Sequence, residues 1–256
     1  MPAQPAITLG IECMARGLAI ALLLLLAACG PGKATRVCIT GTIAVDQLAP
    51  GTCFKPAALG ELLDKPVHEG PGEAVELKLT SPREITEQTT VTTCRQYQDY
   101  KAKQWYALTS LDMAKEGWFE QVCTSIALLQ SARPAKRSYL DEPKTGLGDV
   151  KLISAAILPT SGEAPAPNGA ATIADLVATG KVRITSATPA RLDLAYASQN
   201  VVYEELARGD FDHDGIEDML VFMAVHAQGG TMQWSRDLVL SRTAKGVLLR
   251  PAMPAK

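Results

Sequence analysis

Residues 201 to 226 read Val-Val-Tyr-Glu-Glu-Leu-Ala-Arg-Gly-Asp-Phe-Asp-His-Asp-Gly-Ile-Glu-Asp-Met-Leu-Val-Phe-Met-Ala-Val-His. Two apolar, β-branched runs, Val201 to Leu206 and Met219 to His226, flank a polar turn. Runs of that length bounded by turn residues read as strands rather than helices. Within the turn, Asp210, Asp212 and Asp214 alternate along the chain, Gly215 supplies a tight bend, and Asp218 follows. Carboxylates spaced by two residues around a glycine can fold their oxygens about one hard cation, with the Ile216 carbonyl as a further donor and water completing the shell. Four acids so close together repel one another, so a metal removes a cost as well as adding bonds. The expected ion is calcium, held by Asp210, Asp212, Asp214, Ile216 and Asp218. Its expected role is structural, because a catalytic metal needs an open position beside a base or nucleophile, and His226 is the only nearby imidazole outside the loop.

Outward from this hairpin the β pattern continues. Downstream, Asp237 to Ser241 and Val247 to Arg250 are separated by turns at Gly229-Gly230 and Ala244-Lys245-Gly246. Upstream lie Lys181 to Thr185 and Arg191 to Tyr196, where Leu192, Leu194 and Tyr196 alternate. Thr172 can cap a short helix through Val177 that stops at Gly180. Residues 159 to 171, rich in Pro, Gly and Ser, read as a linker or a long loop. Before it the pattern is mixed. Val37 to Val45, Val75 to Leu79 and Thr89 to Cys94 have strand character, and Leu59 to Leu63 suits one helical turn. The clearest helix lies between Asp112 and Ala132: Asp112 is the expected cap, Phe119, Val122, Cys123, Ile126 and Leu129 share one face, and Arg133-Pro134 ends it. The aromatic side chains Tyr97, Tyr100, Trp105, Tyr106, Trp118 and Phe119 gather around this helix, either as core or as a stacking surface for sugar rings or a partner protein. The fold class is α+β. Its N-terminal disulfide-linked unit (37–158) carries one main helix, and its β-rich C-terminal unit (172–256) carries antiparallel strands flanking the acidic metal loop.

The other end of the chain speaks about location. Residues 17 to 28 are an unbroken apolar run of twelve after Arg16, shorter than the roughly 18 residues a membrane span needs and suited to the core of a secretory signal. It ends in Leu26-Ala27-Ala28-Cys29. That tetrapeptide resembles the lipobox of bacterial lipoproteins, which implies removal of residues 1 to 28, lipidation of Cys29, a tether over 29–36 and attachment to a membrane in the cell envelope. In such lipoproteins an aspartate after the cysteine retains the protein at the inner membrane. Gly30 stands there instead, so the outer membrane is expected. In that oxidising compartment Cys38, Cys53, Cys94 and Cys123 remain as an even set. Three pairings are possible. Cys38 with Cys53 and Cys94 with Cys123 is the expected one, because each pair brackets a local unit, and loops of about 15 and 30 residues contribute roughly 3 to 4 kcal/mol each. No Cys-x-x-Cys occurs to suggest thiol-disulfide chemistry.

The acidic turn resembles the Asp-x-Asp-x-Asp-Gly-x-x-Asp loops of FG-GAP blades in integrin-like β-propellers, which join two strands; the likeness covers about Glu204 to Leu220. An EF-hand would place Glu at the twelfth position and a helix after it, whereas Val221 and a strand-like run follow. A propeller needs several blades, so only the metal loop is carried over. His213 departs from the glycine common at the fourth position of such loops. Elsewhere the net charge of −2 and the lack of a basic stripe argue against nucleic-acid binding. No Gly-x-Ser-x-Gly, His-Glu-x-x-His or phosphate-cradling loop is present. The expectation is therefore a non-enzymatic, lipid-anchored envelope module with a structural calcium ion, its partner an envelope protein or cell-wall material. The rival is a calcium-dependent cell-wall hydrolase, which would need two converging carboxylates with separated pKa values in a cleft.

Overall fold

Cys38 lies directly opposite Cys53 where β1 (Val37–Ile39) pairs antiparallel with β2 (Cys53–Phe54), and a disulfide joins them with Cα atoms 4.0 Å apart. The computed structural model describes residues 36–45, 48–69, 72–140, 146–160 and 169–255. The expected signal segment, Cys29 and most of the tether lie outside the described residues, as does 161–168 of the expected linker. Among the described residues no helix is long and apolar enough to cross a membrane.

After β2 a 3-10 helix (Pro56–Asp64) leads to the antiparallel pair β3 (Leu77–Thr80) and β4 (Gln88–Val91). The strand expected over Thr89 to Cys94 stops at Val91, and Cys94 opens a helix, α1 (Cys94–Ala102). The cause is local: Thr93 accepts from the Gln96 amide while the Gln96 side chain reaches back to the Thr93 amide, a reciprocal capping box. The long helix α2 (Ser110–Ser131) follows. Its cap is Thr109, not Asp112. The Thr109 hydroxyl accepts from the Asp112 amide at 3.1 Å and donates to the Asp112 carboxylate at 2.6 Å, so Asp112 serves from the first turn, where a negative charge is favoured. The second disulfide, Cys94–Cys123, ties the first residue of α1 to the middle of α2 with Cα atoms 5.4 Å apart. Both expected pairings are thus the ones formed.

The C-terminal half follows the sequence except at its last strand, expected over Val247 to Arg250 and formed over Arg250–Ala252. Thr172 caps α3 (Ile173–Ala178) through a capping box with Asp175. Then come β5 (Val182–Thr188), β6 (Arg191–Tyr196), β7 (Gln199–Gly209), β8 (Asp218–Ala227), β9 (Gln233–Ser241) and β10 (Arg250–Ala252). Strands β10, β9, β8 and β7 stand side by side, all antiparallel. The far edge of β7 is shared between two partners. Its first part, Gln199 to Glu204, pairs with β6, which in turn pairs with β5. Ala207 and Arg208 pair with β1, which brings β2 along. Residues on both sides of the expected 159–171 segment therefore build one sheet, and the chain from Ala34 onward makes one compact unit.

Both faces of this sheet are covered, which explains why β8 reads as a nearly continuous apolar run rather than an alternating one. Met219, Val221, Met223 and Val225 pack on one face with Ile173 of α3 and with Leu140, Leu147, Ile153 and Ile157, together with Tyr203, whose hydroxyl donates to the Ile157 carbonyl at 2.9 Å. Burial holds the Tyr203 phenol far above its usual range. Leu220, Leu206 and Val239 face the opposite way, into a core shared with α1, α2 and the β3–β4 pair. Most of the aromatic cluster belongs to this second core: Tyr97 and Phe119 are buried with ring centroids 5.7 Å apart, Trp105 meets Tyr100 edge-on, and the Trp118 indole donates to the His68 carbonyl at 3.0 Å.

Candidate metal centre

Pairing Gly209 with Asp218 closes the β7–β8 connection and sets Asp210 beside Asp218 at the mouth of the turn. Phe211, fully buried, pins the loop from below. The backbone then turns through two left-handed residues, His213 at φ 67° and Gly215 at φ 85°. Gly215 meets the sequence expectation for a tight bend. Each aspartate spends part of its carboxylate on the loop's own amides. Asp218 Oδ2 accepts from Phe211 and Asp212, Asp210 Oδ2 from Gly215, Asp212 Oδ1 from Asp214, and Asp214 Oδ1 from Ile216.

Three carboxylates remain in convergence. One oxygen each from Asp210, Asp212 and Asp218 lies within 4.8 Å of the others, a group that could hold a metal ion. Asp214 stands outside this trio, exposed, its carboxylate turned to the Ile216 amide. Asp210 and Asp218 are buried, at 4% and 0% exposure, and Asp210 Oδ1 and Asp218 Oδ1 have no hydrogen-bond partner. Buried carboxylate oxygens without a donor are expensive, and none of the three has a basic side chain against it among the described residues. The electrostatics carry the same strain. Burial pushes the Asp218 carboxyl up to about 7 and raises Asp212 as well. The Ser241 hydroxyl near Asp218 favours its charged form without meeting hydrogen-bond geometry. Oxygen donors only, from carboxylates two of which each keep a buried oxygen without a partner, fit a hard divalent cation.

The loop does not stand alone. Arg133 and Asp210 exchange two backbone hydrogen bonds of 2.9 Å, the amides of Lys136 and Arg137 reach the Gly215 carbonyl, the Glu217 amide reaches Arg137, and the Ala255 amide reaches Phe211. The His213 ring meets the Ser131 carbonyl at 2.7 Å. No sequence signal marked this strap, because its pairing joins segments about 80 residues apart by backbone atoms alone.

A second feature was not anticipated. Two adjoining cavities of about 550 and about 1040 Å³ lie between α2 and the sheet and share Trp118, Gln121 and Phe222 as walls. Asp237 lines the larger, and burial raises its carboxyl to about 6. Its Oδ2 accepts from the Ser125 hydroxyl at 2.6 Å, and its Oδ1 is shut away from solvent. No protein-family model, curated protein or solved structure matches this chain.

Proposed function

We propose that this chain is a lipid-anchored protein of the cell envelope, attached through Cys29 and facing its compartment as a non-enzymatic binding or assembly module whose fold is held by two disulfides and one calcium ion. The observation that carries the cation is that two of the three converging carboxylates, Asp210 and Asp218, are buried and each keeps one oxygen without a hydrogen-bond partner. Calcium suits the site better than magnesium. Carboxylates, the Ile216 carbonyl and water make an irregular oxygen shell, which calcium accepts at 2.3 to 2.6 Å, roughly, while magnesium demands a near-ideal octahedron. Disulfides of this kind persist in an oxidising compartment, in keeping with export by a segment that resembles a lipoprotein signal. Two or more acyl chains on Cys29 would anchor the protein stably without a spanning helix.

The reading of a calcium-dependent hydrolase draws on the groove beside α2, where Asp237 has the raised pKa expected of a general acid. Its carboxyl, however, is engaged by the Ser125 hydroxyl on Oδ2, with Oδ1 shut away from solvent, which favours binding over hydrolysis.

Melting curves test the cation. Isolated sites of extracellular type bind at about 10⁻⁴ to 10⁻³ M, so 10 mM calcium contributes on the order of 1.5 to 3 kcal/mol. At about 2 to 4 °C per kcal/mol the shift is readily measured. Asp210→Ala abolishes it, Asp212→Asn weakens it, and magnesium does less. If wild type and Asp210→Ala melt together with and without calcium, the loop is only an acidic turn. The anchor has its own test: Cys29→Ser releases the protein from the membrane fraction or leaves it unprocessed, and normal processing with unchanged retention would refute the lipid.

A further inference from the structure

His213 occupies a left-handed backbone position at φ 67° that glycine adopts without strain and a side chain rarely does. What the imidazole does there accounts for its presence. Ser131 is the last residue of α2, and the carbonyls of a helix's final turn have no partner within the helix. The His213 ring nitrogen Nε2 lies 2.7 Å from the Ser131 carbonyl, and since a carbonyl can only accept, Nε2 carries the hydrogen. The turn that gathers Asp210, Asp212 and Asp218 is thus also the cap on the end of α2. Immediately beyond, Ala132 leaves the helix in an extended conformation and Arg133 joins Asp210 by two backbone bonds.

We propose that His213 couples the cation site to α2, so that filling the site locks the last turn of the helix. The proposal rests on the cation reading above, which the two orphaned oxygens of Asp210 and Asp218 support independently of His213. With the site filled, the loop has one geometry and the imidazole is held under Ser131. Without the cation, three converging carboxylates repel and the loop relaxes outward, withdrawing the cap. The Ser131 carbonyl then returns to water, and the helix end is left to the bonds from Ala132 and the Ser131 hydroxyl to Leu128 and Leu129, so it frays more readily. The order of α2 at this end becomes a function of the divalent cation concentration around the protein.

Amide hydrogen exchange on the full chain, with and without calcium chloride, reads this directly, with calorimetry measuring calcium binding in parallel. In wild type, calcium slows exchange at Leu128 to Ala132 by roughly tenfold. His213→Gly, which suits the left-handed position, still binds calcium in the calorimeter but loses that slowing, while the Lys136 and Arg137 amides, bonded to Gly215 itself, keep theirs. His213→Asn, which also tolerates the backbone but is too short to reach Ser131, repeats the result should the glycine variant fold poorly. Calcium binding to wild type without slowing at Leu128 to Ala132, or full slowing in both variants, overturns the coupling and leaves the cation site standing. Calorimetry that detects no calcium binding to wild type overturns both.

Discussion

Asp237 and Gly41 each hold a position where one atom decides the outcome. The Asp237 carboxyl is raised by burial from 3.8 to about 6, so the fold favours its neutral form. A raised acid contributes stability that is complete below the unfolded pKa and is lost as the pH climbs through the folded one. Asp237→Asn keeps an oxygen to accept the Ser125 hydroxyl but cannot ionise. The difference in unfolding free energy between variant and wild type therefore moves in the variant's favour by about 2 to 3 kcal/mol between pH 4 and pH 7, and a difference that stays flat across that range contradicts the assignment. At Gly41 an added Cβ would lie 2.1 Å from the Glu205 carbonyl oxygen, and the backbone cannot retreat because the amides of Thr40 and Gly41 both donate to Leu206. Gly41→Ala costs about 3 kcal/mol in urea unfolding; a loss below about 0.5 kcal/mol, the ordinary range for surface substitutions, shows that the strand can shift.

Single elements were legible wherever a local apolar period or turn signal marked them. The alternation in β6 and the acidic hairpin between β7 and β8 could be read from neighbouring residues, and so could the cap at Thr172, because each reports on atoms only a few positions away. α1 was passed over: its sequence, Cys-Arg-Gln-Tyr-Gln-Asp-Tyr-Lys-Ala, has few apolar residues to show a period. The signal was Thr93 followed three residues later by Gln96, whose capping box turns a β-branched stretch into a helix start. α1 is short, polar and held at its first residue by the Cys94–Cys123 bridge. Helices of that length are marginal alone, so α1 depends on the bridge together with the buried Tyr97. Replacing both cysteines by alanine costs about 3 to 4 kcal/mol for a loop of that size and raises exchange across Cys94–Ala102 more than across the middle of α2. Equal loosening of both helices would show that the bridge constrains only the unfolded chain. The metal trio was legible in composition but not in geometry, since no spacing rule says that Asp214 turns its carboxylate to the Ile216 amide while Asp218 turns inward.

At the scale of the molecule, the pairing of β1 with Ala207 and Arg208 of β7 could not be read at all, because nothing near residue 38 refers to residue 208. Under the export proposed above, in which the N-terminus leads, it also fixes an order of events. The β1–β2 hairpin emerges early and its disulfide can close at once, yet one of its edges has no mate until about 150 further residues have followed, a delay that topology imposes on folding speed. Through that interval an unpaired strand edge is open to any other chain in the compartment. Translocation intermediates arrested before β7 should be cut by protease between residues 36 and 55 and should co-precipitate a periplasmic holdase, whereas released chains should do neither. Under the proposed export, the yield should follow how long an early strand can wait for a late one, and added holdase should raise it more than a stronger finished core does.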